Sequence, residues 1–296
     1  MMRWLFTLLF ATLLGACASG PPADTQPTTE RESLDRSARL AFSQGQYAQA
    51  ATLYTAALDQ ALAEDRADAI VDARFNLALS YTYIGRYQDA LDQLTQAEAE
   101  RGRRGLGGDS ELDLLRAIVL YREGNLDMAS SALDPLLDAA ALSPSATGRA
   151  HFLAGLIAAD RGVAADVRRH LQALEAIDPP GDAADRTELA GRFAAIDGDL
   201  TQALALLDRA VAMRGLQRDY RGMVRSLAAA GDLAERDGQT RLAADYLLRA
   251  GRSAAQREAP QARIWLQRAL DLGQQSGDRA LALEARSILD TLPRDH

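Results

Sequence analysis

Seven glycines, Gly45, Gly85, Gly124, Gly162, Gly198, Gly238 and Gly277, recur along this chain at separations of 40, 39, 38, 36, 40 and 39 residues. A period of this length constrains the fold more than any short motif, because each period is one supersecondary unit that must stack on its copies. Other columns keep the same register. Five residues after each glycine stand Ala50, Ala90, Ala129, Val167, Ala203, Ala243 and Ala282. Seven residues before stand Ala38, Ala78, Ala117, Gly155, Gly191, Gly231 and Leu270. Nine residues after stand Tyr54, Leu94, Leu133, Leu171, Leu207, Leu247 and Arg286. A glycine can take the positive φ that ends one helix and turns the chain into the next. The small residues let two helices approach closely, and the residue nine after shares a helical face with the residue five after. Each unit therefore reads as a helical hairpin that cannot bury its face alone. The spacing predicts an all-α solenoid of about seven antiparallel hairpins over residues 33–291, with 292–296 as a short tail.

Composition agrees. Hydrophobic residues make up 48% of the chain but aromatics only 5%, and much of the apolar count is alanine, which favours close-packed helices over a β-sandwich. All 33 basic residues are arginine. The lack of lysine excludes Schiff-base catalysis and a P-loop lysine. A net charge of -8 argues against nucleic acid as a partner.

The repeat resembles the tetratricopeptide repeat, with Gly45-Gln46-Tyr47…Ala50 and Gly85-Arg86-Tyr87…Ala90 matching its turn signature best and Asp178-Pro179 matching its closing proline. The resemblance implies a right-handed solenoid that binds proteins. Two features depart from the family. The period of about 39 exceeds the usual 34, and the turn aromatic gives way to Leu126, Ala164, Leu200, Thr240 and Arg279 from the third repeat onward.

Residues 1–16 read as a signal peptide. Arg3 is the only charge before Asp24, and Trp4 to Leu14 is an apolar run too short to span a bilayer. Leu14-Gly15-Ala16-Cys17 resembles the lipobox of bacterial lipoproteins, and Cys17 is the chain's only cysteine. That resemblance implies cleavage before Cys17 and its acylation, and Ala18 implies sorting to the outer membrane. Residues 17–32, rich in proline and threonine, read as a tether, whose fifteen residues after Cys17 would span roughly 20–25 Å.

The sequence carries no catalytic constellation, metal site or cofactor motif. His151 reads as a satisfied histidine and His170, after Arg168 and Arg169, as part of a solvated face. Asp197-Gly198-Asp199 lacks the rest of a calcium loop. Arg101, Arg103 and Arg104 form a basic cluster, solvated or else facing anionic lipid or an acidic partner. Ser143-Pro144 marks a helix start, Ser110 with Asp113 a weak capping box, Pro260 another start, and Pro135 a kink or early break.

Function is expected in the concave groove, lined by the first helix of each hairpin. Projecting positions ten, six, three and two before each glycine puts Phe75, Leu79, Thr82 and Tyr83 inward in repeat two. Repeat three contributes Leu114, Ile118, Tyr121 and Arg122, and repeat four Phe152, Leu156, Ala159 and Asp160. Repeats six and seven offer Ala228, Asp232, Glu235, Arg236, Gln267, Asp271, Gln274 and Gln275. The groove should thus be apolar and aromatic in its N-terminal half and polar in its C-terminal half. Phe75, Leu79, Tyr83, Leu114, Ile118, Tyr121, Phe152 and Leu156 are the candidate protein-binding residues, and Tyr83 and Tyr121 are expected to be dispensable for stability. The reading is a lipid-anchored, non-enzymatic periplasmic scaffold for a protein or peptide, with no small-molecule substrate and no cofactor. A self-associating structural subunit and a cell-wall-acting enzyme are the alternatives.

Overall fold

A computed structural model describes residues 29–138, 142–177, 182–257 and 261–292. The stretches read as signal peptide and, in most part, as tether lie outside the described residues, with Cys17, Asp178-Pro179 and Pro260. Within them stand fourteen helices and no strand. The helices pair as α1 (Glu30–Ser43) with α2 (Tyr47–Ala63), α3 (Ala67–Tyr83) with α4 (Tyr87–Arg103), α5 (Ser110–Glu123) with α6 (Leu126–Asp138), and α7 (Pro144–Asp160) with α8 (Ala164–Ala176). The remaining pairs are α9 (Ala183–Asp197) with α10 (Leu200–Gln217), α11 (Tyr220–Arg236) with α12 (Thr240–Ala255), and α13 (Ala262–Gln275) with α14 (Arg279–Thr291).

Each periodic glycine sits in the turn within a pair, with φ between +72° and +91°. The residue after it donates its N–H to the carbonyl five residues back, from Gln46 to Ala41 in the first repeat to Asp278 to Gly273 in the last, at 2.9–3.0 Å throughout. This bond stops each first helix and fixes the reversal. The small columns are buried as packing requires. A Cβ on Gly155 would come 2.5 Å from the Leu189 side chain, and one on Gly231 would come 2.8 Å from that of Leu247. The long period is taken up by helix length, because two helices of 17 residues, as in α3 and α4, alone fill 34.

Local signals are met in part. Thr29 and Glu32 form a capping box that starts α1 at Glu30, inside the stretch read as tether. Ser143 caps α7 through its hydroxyl with Pro144 in the first turn. The cap of α5 is Asp109 rather than Ser110, since its carboxylate accepts the Glu111 N–H at 3.0 Å. Helix α6 runs on three residues past Pro135 to Asp138, with the proline exposed. The arginine cluster is held by the protein itself. Arg101 donates to the Gly107 carbonyl and pairs with Asp109 at 3.2 Å, while Arg103 and Arg104 pair with Glu100.

Neighbouring first helices α3, α5, α7, α9 and α11 pack side by side and make the concave face. No helix among the described residues is long and apolar enough to cross a membrane.

Candidate functional site

The projected groove residues divide by depth. Leu114, Leu156 and Phe152 are core residues, exposed by only 2%, 2% and 8%, and Thr82 is buried with its hydroxyl on the Ala78 carbonyl. They are not open groove surface. Leu114, Leu156 and Phe152 pack within the cores of repeats three to five. Phe75, Leu79, Tyr83, Ile118 and Tyr121 are half-buried. The polar members Asp160, Arg236, Gln267, Asp271, Gln274 and Gln275 are exposed, with Asp232 and Glu235 half-buried. An aromatic half and a polar half thus exist, but the aromatic half is covered by the arginines of the other.

The covering groups come from helices α9 to α11. Glu188, on α9, is fully buried and accepts hydrogen bonds from Arg225 at 2.9 and 3.0 Å, Arg214 at 2.9 Å and Ser226 at 3.0 Å. Arg192 stands 3.4 Å from its other oxygen. Burial alone would push the Glu188 carboxyl up. Arg225 and Arg192 outweigh it and hold the pKa down at about 2. Arg214 also pairs with Asp185 at 2.6 Å and Asp219 at 2.5 Å. Arg225 and Arg214 then stack 4.9 and 5.7 Å from the Phe152 ring centre, which is why that residue is closed off. Glu188 and Arg192 occupy the ten-before and six-before positions of repeat five, so the register could have found them had that repeat been projected. Arg221 and Arg225 lie one to two turns further back on α11, beyond the positions used.

A second cluster joins distant repeats. Phe42, Tyr47 and Tyr83, from α1, α2 and α3, bring their ring centres within 5.0–5.3 Å of one another. Arg221, in the first turn of α11, places its guanidinium carbon 2.9 Å from the Tyr83 ring centre, 4.4 Å from that of Tyr47 and 5.6 Å from that of Phe42. Beside it, the Arg257 side chain lies against the Gly45 turn, and the Gln261 amide donates to the Tyr87 hydroxyl at 3.2 Å. The solenoid therefore winds back on itself, with repeat six and the start of repeat seven resting on repeats one and two.

What stays open is a cleft of about 940 Å³ at the turn end of repeats four to seven. Its floor is Ala195, Ile196, Ala229 and Leu233, and its rim carries Asp160, Asp232, Glu235, Arg161, Arg192, Arg236 and Arg268. Arg192 meets Asp160 at 3.0 Å and Arg268 meets Asp232 at 2.8 Å, so the rim charges are largely paired across the cleft. The Tyr121 hydroxyl donates to Asp160 at 2.7 Å, tying the aromatic half to this rim. An apolar floor with a paired polar rim can seat a polypeptide, but it offers no nucleophile with an adjacent base.

His151 and His170 meet inside repeat four. His170 is 6% exposed, and its Nδ1 lies 3.1 Å from Nδ1 of His151. His170 is thus a buried partner of His151 and not part of a solvated face. Burial, then the neighbouring His151, lowers its pKa to about 4.

No family model matches the chain, and no curated protein does. Among solved structures the chain is similar to a tetratricopeptide repeat protein from Parabacteroides merdae, at 15% identity over 86% of this chain and 98% of that one, with a TM-score of 0.50. It is also similar to the Rap conjugation gene regulator of the plasmid pLS20 in complex with a Phr peptide, at 13% identity over 95% and 84% of the two chains, with a TM-score of 0.52. A signal transduction ATPase with a tetratricopeptide repeat sensor from Pyrococcus horikoshii aligns at 12% identity and a TM-score of 0.50, over 87% of this chain and 41% of that one. The fold is that of the tetratricopeptide-repeat proteins.

Proposed function

We propose that this tetratricopeptide-repeat solenoid is a lipid-anchored scaffold of the bacterial envelope that seats a protein or peptide partner in the cleft of repeats four to seven. The observation that carries the reading is the cleft itself, a concavity of about 940 Å³ built from the first helices of consecutive repeats. Concave solenoid faces bind extended peptides and helices. One solved structure of similar fold, the Rap regulator, holds a peptide. Anchoring rests on Leu14-Gly15-Ala16-Cys17, and Ala18 favours the outer membrane, facing the periplasm.

The test has two arms. Cys17→Ser should move the protein from the membrane to the soluble fraction and abolish labelling by a fatty acid; continued sedimentation with label would refute the anchor. A photo-crosslinking residue in place of Ala195 should capture a discrete partner in intact envelopes, and Ala229→Trp, which fills the cleft floor, should abolish that adduct. Capture from Leu283, exposed on the outer helix α14, with none from Ala195, would move the interaction to the convex face and favour self-association.

A further inference from the structure

Arg221 differs from the arginines gathered about Glu188. Arg192, Arg214 and Arg225 all meet carboxylates. Among the described residues no carboxylate forms an ion pair with Arg221, and three aromatic rings surround it instead. Burial holds its pKa below the ordinary arginine value, with Tyr83 and Tyr47 opposing that shift. A second guanidinium, Arg122, stands 4.9 Å from the centre of the same Tyr83 ring and is likewise without an ion pair among the described residues. The two like charges share one ring, so the contact is closed against repulsion. It is also made by side chains and not by packed helix faces, since α11 packs on α9, α10 and α12 but not broadly on α1, α2 or α3. A join of this kind can release without melting either repeat.

We propose that Phe42, Tyr47 and Tyr83 form a receptor cage for a guanidinium group, filled by Arg221 as an internal ligand in the closed coil and by an arginine-bearing segment of a partner polypeptide in an open one. The kind of partner follows from the cage. Aromatic faces attract cations, and a planar guanidinium stacks on them where a compact ammonium does not. The chain's net charge of -8 draws a basic segment toward it. Release of Arg221 separates repeat six from repeats one and two and bares the Phe42, Tyr47 and Tyr83 rings, while Phe152 stays under Arg214 and Arg225. The cage is distinct from the cleft, and neither site depends on the other.

The experiment uses the full chain with Cys17→Ser, which leaves no cysteine, and spin labels at Gln44→Cys and Gln256→Cys. Both positions are exposed and adjoin Gly45 and Arg257, where the coil closes. The closed coil should give one short distance, and Arg221→Ala a longer, broader one, with unchanged helical circular dichroism. Arg221→Lys, which keeps charge and stem, should open the coil partly and serves if the alanine variant folds poorly. Hexa-arginine should lengthen the distance in the parent chain where hexa-lysine does not, and should bind Arg221→Ala at least tenfold more tightly than the parent. Adding Tyr83→Ala should remove that gain. A distance unmoved by Arg221→Ala and Arg221→Lys would overturn the latch. An open coil that binds hexa-arginine no better than the Tyr83→Ala double variant would overturn the cage. Neither result bears on crosslinking from Ala195, so failure here and failure of the cleft reading are separate findings.

Discussion

Arg221 and Arg225 lie one turn apart on the same face of α11, yet the protein satisfies them in opposite ways. Arg225 grips the buried Glu188 with two hydrogen bonds at 2.9 and 3.0 Å, and the carboxylate, outweighing burial, pushes its pKa up. Arg221 reaches across the coil into three aromatic rings, and burial pulls its pKa down. The first arrangement links repeats five and six, which are neighbours in sequence and share packed helix faces. The second links repeats that touch only because the solenoid winds round. A buried ion pair locks partners that never separate, because parting them strands a charge. A guanidinium over rings leaves no stranded carboxylate when it withdraws into water.

The largest effect that would break this comparison is at Glu188. Replacing it with glutamine keeps the volume but leaves three guanidiniums converging on a neutral amide. Breaking a buried pair by removing one partner costs about 3–5 kcal/mol. Glu188→Gln should therefore lose about that much in chemical denaturation, with repeats five and six melting first. A loss under about 1 kcal/mol would mean that Asp185 and Asp219 already neutralise the cluster and that the contrast with Arg221 is false.

The hairpins were legible in the sequence because turn chemistry repeats. Gly45 to Gly277 announce positive φ, and all seven take it. The alanine and glycine columns announce close helix packing, and a side chain would collide at Gly155 and Gly231 and be tight at Gly191. The interior was less legible. A periodic register says which side of a helix a residue is on, but not what lies opposite, and opposition here depends on how tightly the solenoid winds. The register points Phe152 and Tyr83 inward but cannot show that they are covered, because the arginines over them come from residues more than sixty positions later in the chain. Tyr83 and Tyr121 accordingly belong to the packed interior, and their truncation to alanine should lower stability. His170 was misread for a related reason: Arg168 and Arg169 before it are exposed, but the helix turns His170 inward to His151.

That histidine pair supplies the next largest effect, read through pH. An unfolded histidine titrates near 6.5, and buried His170 near 4. Between those values the unfolded chain binds a proton that the folded chain refuses, so stability falls as pH drops from about 6.5 to 4. Burial lowers His151 in the same direction, and of the charges about the pair Arg169 opposes protonation while Asp166 favours it. The loss should be about 2–3 kcal/mol at one unit per 1.4 kcal/mol. Glu188 acts in a lower window: its stabilisation is present above the unfolded pKa of 4.5 and is lost as pH falls toward about 2. His170→Phe should flatten the stability profile between pH 6.5 and 4 and leave the fall below 4.5 intact. A profile unchanged by His170→Phe would show that the upper window belongs to some other group.

A smaller loss belongs to the latch. Arg221→Ala should cost about 1–2 kcal/mol, the scale of a desolvated cation over aromatic faces, well short of Glu188→Gln. A loss equal to that of Glu188→Gln would make the two arginines equivalent and remove the reason to call one join reversible.

The smallest effect lies where the two regions meet. The Tyr121 hydroxyl donates to Asp160 at 2.7 Å, and the same carboxylate receives Arg192 at 3.0 Å on its other oxygen. Tyr121→Phe keeps the ring and its packing against the cores of repeats three and four and removes only the hydroxyl. Asp160 is exposed at the cleft rim, so water can take the vacated position and Arg192 still pairs with the carboxylate. A single hydrogen bond replaced by water is worth about 0.5–1.5 kcal/mol, and the substitution should fall at or below that range. Burial also raises the Tyr121 pKa, so the hydroxyl stays protonated and the effect should be the same from pH 6 to 9. A loss of about 3 kcal/mol or more would mean that Tyr121, Asp160 and Arg192 act as one unit with Glu188. The locked region would then extend through repeat three to the edge of the aromatic cage, and the boundary between the fixed and the releasable arginine would have to be drawn at Arg122 instead.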